Sequence, residues 1–180
     1  MSTYLEEKYK TDPLETRAFL VSDIGDRYYK GLVSVDEFWS EFKTALKVDE
    51  DSKSLALKWI DSYDLNQGTL DLIERLSKDY DVYYLSDNVK DRVKVTEEKY
   101  DFLKHFKDGI FSCDVGMRKP QPKIYDLALE MTKTKPEETI FIDDKESSLA
   151  PARDMGLNVV LFTSPEEVED KVADIIYSQA

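Results

Sequence analysis

Apolar positions along the chain change their rhythm near residue 66. Before that point they recur at helical spacing. Asp12-Pro13 predicts a helix start, with an acceptor side chain at the N-cap and proline in the first turn. Leu14, Ala18 and Val21 follow at helical intervals, and Gly25 or Gly31 is expected to break that segment. Ser34 and Glu37 form a capping box ahead of Val35, Phe38, Trp39, Phe42 and Leu46, which share one helix face. A last helix of this part carries Leu55, Leu57, Trp59 and Ile60. The Trp and Phe stripe reads as the core of a helical bundle rather than as a ligand box. No segment before residue 66 reads as a strand.

From residue 67 onward helices alternate with short apolar runs. Thr69–Lys78 predicts a helix with Leu70, Leu72, Ile73 and Leu76 on its apolar face. Val82–Leu85 predicts a strand that Ser86-Asp87-Asn88 stops with turn chemistry. A helix through Val93 and Tyr100 follows, then a strand over Gly109–Ser112, a helix from about Pro122 to Met131, and a strand over Thr139–Ile142 ended by Asp143-Asp144. A helix closing at Gly156, a strand over Asn158–Phe162 and a helix opened by Ser164-Pro165-Glu166-Glu167 complete the chain. Alternation of this kind predicts an α/β fold with a parallel sheet covered by helices on both faces. The expected domains are a helical cap over 1–66 and an α/β core over 67–180.

Composition narrows the function. The 180 residues carry 25 basic and 38 acidic side chains, a net charge of −13. A field of that sign repels phosphate backbones and anionic lipid surfaces, so neither nucleic acid nor a membrane is an expected partner. No apolar run approaches the roughly 20 residues of a membrane helix, and the first residues lack a secretion-signal layout. Cys113 is the single cysteine, which leaves no disulfide framework and no Cys-rich metal site. A cytoplasmic protein is expected.

The chemistry collects at strand ends. In an open parallel sheet, ligands sit beyond the carboxyl ends of the strands. That places Ser86, Asp87 and Asn88 on one rim with Asp143 and Asp144, and the loop through Gly116-Met117-Arg118-Lys119-Pro120 can return Lys119 to the same rim. Two adjacent carboxylates repel each other unless a hard cation such as Mg²⁺ is near. A hydroxyl, turn N–H groups and a lysine ammonium are what a phosphate dianion requires. Each piece alone has a plainer reading: the aspartates as a solvated turn, Ser86 as an N-cap, Lys119 as a surface lysine. Their order along one rim favours a Mg²⁺-phosphate site. His105 reads as a helix-end or half-buried histidine, Cys113 as a small buried side chain, and Tyr83 and Tyr84 as packing residues.

VYYLSDN, GMRKPQPKIYDLALE and TIFIDDKESSLAPARDMGLNVVLF resemble the second, third and fourth motifs of the haloacid dehalogenase (HAD)-like hydrolases, and SDIGDRYYKGLVSVDEFW is similar to the small helical cap of their phosphatase and dehalogenase branch. The resemblance covers nearly all of the chain. It implies a Rossmann-like HAD core with a helical cap, and a Mg²⁺-dependent hydrolase of small phosphomonoesters working through a phosphoaspartyl intermediate. Carried over by position, Ser86, with Asp87 and Asn88, would bind the phosphate. Lys119 would neutralise it and orient the nucleophile, and Asp143 and Asp144 would hold Mg²⁺. Relatives with Asn where Asp87 and Ser148 stand make these mild departures.

The front of the chain departs further. The family's nucleophilic aspartate ends a first strand ahead of the cap, and no such strand is read here. Asp23, in Ala18–Gly25, superficially ends a strand, yet it aligns better with the cap. Asp49-Glu50-Asp51 lies between helices and is set aside. Three readings follow: a hydrolase whose nucleophile lies upstream of Met1, making this a truncated gene product; a pseudoenzyme that keeps the phosphate pocket for binding or regulation; and a purely structural protein. The four remaining strands are expected to close into one sheet in the order fourth-third-first-second, bringing Ser86 and Asp143 nearer by about 5 Å and pinching the pocket.

Overall fold

The protein, described here as a computed structural model covering residues 2–179, contains two compact units. Over these residues the first comprises 2–65, Asp87–Asp101 and Phe111–Gly116, and the second Asn66–Ser86, Phe102–Ile110 and 117–179.

The first unit is helical: α1 (Ser2–Tyr9), α2 (Pro13–Leu20), α3 (Asp23–Tyr29), α4 (Val35–Leu46) and α5 (Ser52–Asp61), joined later by α7 (Lys90–Tyr100) and the short α8 (Ser112–Val115). Its starts follow the cap chemistry: Asp12 accepts from the Leu14 N–H, Ser34 from Glu37 and Asp51 from Ser54. The expected stripe is the core. Phe38, Trp39, Phe42 and Leu46 of α4 pack with Tyr28, Leu55 and Trp59, and the Tyr28 ring stacks on Phe38 at 4.1 Å between centroids.

Gly25 does not break the chain; it lies inside α3. A Cβ there would come within 2.2 Å of the Leu20 carbonyl oxygen, so the missing side chain is what lets α3 start hard against the end of α2. The break falls at Val21-Ser22, and Gly31, with φ +69°, follows the end of α3.

Glu50 is the polar centre of this unit. Its carboxylate accepts from Tyr4 Oη at 2.6 Å, Tyr9 Oη at 3.0 Å, Ser54 Oγ at 2.8 Å and Lys8 Nζ at 3.2 Å, and from Lys58. Burial opposes the charged form, but hydrogen bonds from Lys58, Tyr4, Ser54 and Lys8 outweigh it and hold Glu50 well below the usual carboxylate range. The folded value is thus depressed below the ordinary 4.5. The network's contribution to stability is complete above that pH and is lost progressively as the pH falls below it. Glu50→Gln is expected to lower the melting temperature near neutral pH and to flatten its decline in acid. Thermal scans from about pH 7 down to about pH 3 check this; parallel acid limbs for the two proteins would refute it.

The second unit carries α6 (Gln67–Leu76), β1 (Tyr83–Ser86), most of β2 (Asp108–Phe111), α9 (Pro122–Thr132), β3 (Ile140–Asp143), α10 (Glu146–Asp154), β4 (Asn158–Leu161) and α11 (Pro165–Gln179). Helix α6 begins two residues before the expected Thr69, because Asn66 caps it by accepting from the Thr69 N–H. Strands β3 and β4 are parallel, in the register Ile140 to Asn158 through Asp143 to Leu161. Their faces alternate. Ile140 and Ile142 pack toward Leu72 of α6 and Val168 and Val172 of α11, while the Phe141 ring meets Tyr125 of α9 edge-on.

The expectation of one closed four-stranded sheet fails. Strand β1 pairs with β2 and β3 with β4, as two separate two-stranded sheets. The Lys119 ammonium bonds both the Leu85 carbonyl of β1 and the Asp143 carboxylate of β3. A direct β1–β3 ladder would have to displace that cation and leave a buried carboxylate uncompensated. The four residues of β1 stay half-buried instead of becoming an interior strand.

Candidate functional site

Asp143 is the last residue of β3 and is buried. The strand fixes its backbone, and the turn that follows fixes its side chain: Oδ1 accepts from the Lys145 N–H at 2.9 Å just before α10 begins. Oδ2 accepts from Lys119 Nζ at 2.7 Å. Lys119 comes from the loop that leaves α8 at Gly116, whose φ of +68° turns the chain before α9 opens at Pro122. Its side chain is only 13% exposed and that of Asp143 only 6%. The ammonium also donates to the Leu85 carbonyl at 2.8 Å and lies 5.6 Å from the centre of the Phe141 ring. The cation thus lies beside the carboxyl ends of β1 and β3.

Asp144 follows Asp143 and is exposed, and Ser86 ends β1 half-buried. Ser86, Lys119, Asp143 and Asp144 therefore fall within one unit at strand ends. Among the described residues no group of three or more carboxylate, imidazole or thiolate side chains is placed to hold a metal. The donor set is two adjacent carboxylates. That suits Mg²⁺, which keeps several of its waters and commonly takes one or two carboxylates together with phosphate oxygens.

Asp87 and Asn88 belong to the helical unit. The Asn88 side-chain oxygen accepts from the Val89 N–H at 2.9 Å and from Arg92 Nε at 2.5 Å, and its own N–H donates to Ser112 Oγ at 3.0 Å. Asn88 thereby holds the turn into α7. Ser112 Oγ in turn donates to the Tyr29 carbonyl at 2.7 Å. The buried Arg92 guanidinium lies 4.5 Å from the Tyr63 ring centre, 4.6 Å from Trp59 and 5.6 Å from Tyr29, a cation held by aromatic faces. Sequence reasoning passed over Arg92 and Ser112. The signal for Arg92 was its i+4 spacing from Asn88 across a helix start; Ser112 looked like the end of an apolar strand.

Asp23 is the first residue of α3, exposed and in the helical unit. His105 closes a short 3₁₀ turn with Nδ1 3.2 Å from the Glu74 carboxylate. Cys113 is buried in α8, where burial first and the neighbouring Asp114 charge second push its thiol up to about 11, so it is a poor nucleophile at neutral pH. No helix among the described residues is long and apolar enough to cross a membrane.

Comparison with known proteins agrees with this architecture. Bifunctional epoxide hydrolase 2 of Mus musculus is 44% identical over 78 residues, 43% of this chain but only 14% of that protein, so the match spans a small part of the relative. D-ribitol-5-phosphate phosphatase of Bacteroides thetaiotaomicron is 29% identical over 137 residues, 71% of this chain and 65% of the phosphatase. Among solved structures, a HAD family enzyme of Bacteroides thetaiotaomicron in complex with magnesium and inorganic phosphate superposes with a TM-score of 0.77 at 24% identity, covering 91% of this chain and 85% of that one. A mutant of that enzyme, also with magnesium and phosphate, gives 0.72 at 25% identity over 79% and 74% of the two chains. The family model for haloacid dehalogenase-like hydrolases matches residues 27–162. With helices ahead of parallel strands and its charged groups at the strand ends, this chain belongs to the haloacid dehalogenase-like hydrolases.

Proposed function

We propose that the rim formed by Ser86, Lys119, Asp143 and Asp144 binds Mg²⁺ together with the phosphate of a small phosphomonoester, and that these groups alone do not hydrolyse it. The observation that carries this reading is the buried Lys119–Asp143 pair at the carboxyl ends of β1 and β3. Its cation offers charge-assisted hydrogen bonds to a phosphate oxygen, and Asp143 and Asp144 offer oxygen ligands to Mg²⁺. The Bacteroides enzyme of like fold, solved with magnesium and inorganic phosphate, supports the same pairing of ligands, and the D-ribitol-5-phosphate phosphatase supports a small phosphate ester as the class.

When bound, Mg²⁺ would neutralise phosphate charge and polarise the P–O bonds. Ser86 would donate its hydroxyl hydrogen to a phosphate oxygen, and Lys119 would orient the dianion. Phosphatase chemistry through a covalent intermediate also needs a carboxylate nucleophile facing the phosphorus. Asp143 is already bonded to Lys119 and to the Lys145 N–H, and Asp23 starts a helix of the other unit. Asp143, so held, does not fill that role, and Asp23 opens a helix rather than ending a strand, which supports binding rather than turnover.

Calorimetric titration of inorganic phosphate, with and without Mg²⁺, tests the binding half. Phosphate affinity is expected to rise at least about tenfold with Mg²⁺, about 1.4 kcal/mol. Asp144→Asn should remove most of that gain while leaving the melting temperature unchanged, since Asp144 is exposed. Phosphate binding indifferent to both Mg²⁺ and Asp144 would refute the assignment.

A further inference from the structure

Arg92 is a buried cation held without a counter-charge. It is 7% exposed, and among the described residues no carboxylate lies within ion-pair distance of its guanidinium. Lysines of the same helix do find such partners: Lys90 reaches Asp114 and Lys94 reaches Glu98. The adjacent carboxylate, Asp91, is taken by the Tyr28 hydroxyl, which lies 3.0 Å from both of its oxygens. Tyr63 is the ionisable group against the cation. Burial pushes its phenol up by more than the Arg92 charge pulls it down, so Tyr63 is neutral near pH 7 and balances nothing.

One amide oxygen and three rings hold the cation instead. Nε donates to Asn88 Oδ1 at 2.5 Å, and the rings of Tyr63, Trp59 and Tyr29 surround the guanidinium. Such neighbours repay part of the cost of taking a charge out of water, and a carboxylate repays far more. A guanidinium offers two edges to planar acceptors. Asn88 holds the edge that carries Nε. The edge formed by Nη1 and Nη2 meets no carboxylate among the described residues, and it is the edge that takes an oxyanion through two parallel bonds.

The whole cage belongs to the helical unit: Tyr29 ends α3, Trp59 lies in α5, Tyr63 follows it, and Asn88 and Arg92 begin α7. Tyr63 is its exposed wall, while Trp59 is buried and Tyr29 half-buried. Charge selects the class of ligand. A single cation balances one negative charge, and a chain of net charge −13 repels any excess. A phosphate dianion needs a second cation. A carboxylate needs one, and it is planar like the fork that receives it.

We infer that Arg92 and its aromatic cage form a binding site for a small organic monocarboxylate. Its two oxygens accept from Nη1 and Nη2, and Trp59 and Tyr63 flank the apolar remainder of the acid.

Benzoate is a suitable probe, with benzamide as its uncharged counterpart of the same shape. The full chain, without Mg²⁺ or phosphate, is titrated while the Arg92 Nε–H and Trp59 indole N–H resonances are followed by NMR. The result is thereby separate from that of the phosphate reading. Benzoate is expected to shift both resonances saturably in the millimolar range, and benzamide to leave them in place. Arg92→Lys, which keeps the charge and loses the fork, should weaken benzoate binding at least about tenfold, read at the Trp59 resonance. Tyr63→Ala, at an exposed position, should weaken it while the fold is kept. Resonances unmoved by benzoate, or moved equally by benzamide, would overturn the proposal and leave Arg92 as a staple between helices. That comparison needs only the wild-type chain. Displacement of benzoate by an equal concentration of inorganic phosphate would also overturn the assignment to a carboxylate.

Discussion

Lys119→Met is expected to destabilise the protein by about 3–5 kcal/mol, the cost of leaving one member of a buried ion pair without the other. The Asp143 side chain is only 6% exposed, and after the substitution it keeps the bond from the Lys145 N–H but loses its counter-charge. Stabilities of single domains fall near 5–15 kcal/mol, so a loss of this size is a large share of the whole. Urea denaturation followed by far-UV circular dichroism measures it. The double variant Lys119→Met/Asp143→Asn removes the stranded charge and keeps an acceptor for Lys145, and it should recover much of the loss. Equal losses in the single and double variants would mean that Lys119 stabilises by packing its methylenes rather than by compensating Asp143.

Trp39→Ala should cost a comparable amount, about 3–5 kcal/mol, by opening a cavity in the helical unit. Trp39 is fully buried, and its ring meets Phe38 at 5.2 Å, Phe42 at 5.0 Å and Trp59 at 5.8 Å between centroids. Both tryptophans of the chain lie in this unit, so fluorescence of the remaining Trp59 reports on it selectively. The variant is expected to show a red-shifted Trp59 emission at a lower denaturant concentration than wild type, with Trp39→Phe in between. A midpoint unchanged from wild type would show that the stripe can repack around the missing ring.

Local signals carried the sequence reading well. Asp12-Pro13 and Ser34 mark helix starts through their own side chains, and the α4 stripe lies on one face by spacing alone. Asp143 was legible for a related reason: an acidic residue ending an apolar run stops a strand, and the parallel fold then decides on which rim it falls. Most of what the sequence did not show is which segments meet. Asp49-Glu50-Asp51 lies between α4 and α5 as its pattern indicates, but no local signal shows that Glu50 gathers Tyr4, Lys8 and Tyr9 from more than 40 residues away. The apolarity of Val82–Leu85 and Thr139–Ile142 shows that both segments seek cover, but it does not say which edges join. In the structure Lys119 bonds to both segments, and each pairs with a different strand. Gly25 and Gly31 both read as candidate breakers; the close approach of Gly25 to the Leu20 carbonyl belongs to the tight turn from α2 into α3, which spacing alone does not show.

The HAD-like architecture and the Lys119–Asp143 pair support the function proposed above, Mg²⁺-assisted phosphate binding without turnover. Hydrolysis of an aryl phosphate by the 180-residue chain, in Mg²⁺ and in EDTA, tests it most directly. The predicted result is no Mg²⁺-dependent release of the aryl alcohol from folded protein that nonetheless binds phosphate. Mg²⁺-dependent turnover that disappears in a Lys119→Ala variant would contradict it, and would require a nucleophile among these residues, with Asp23 the first to be replaced.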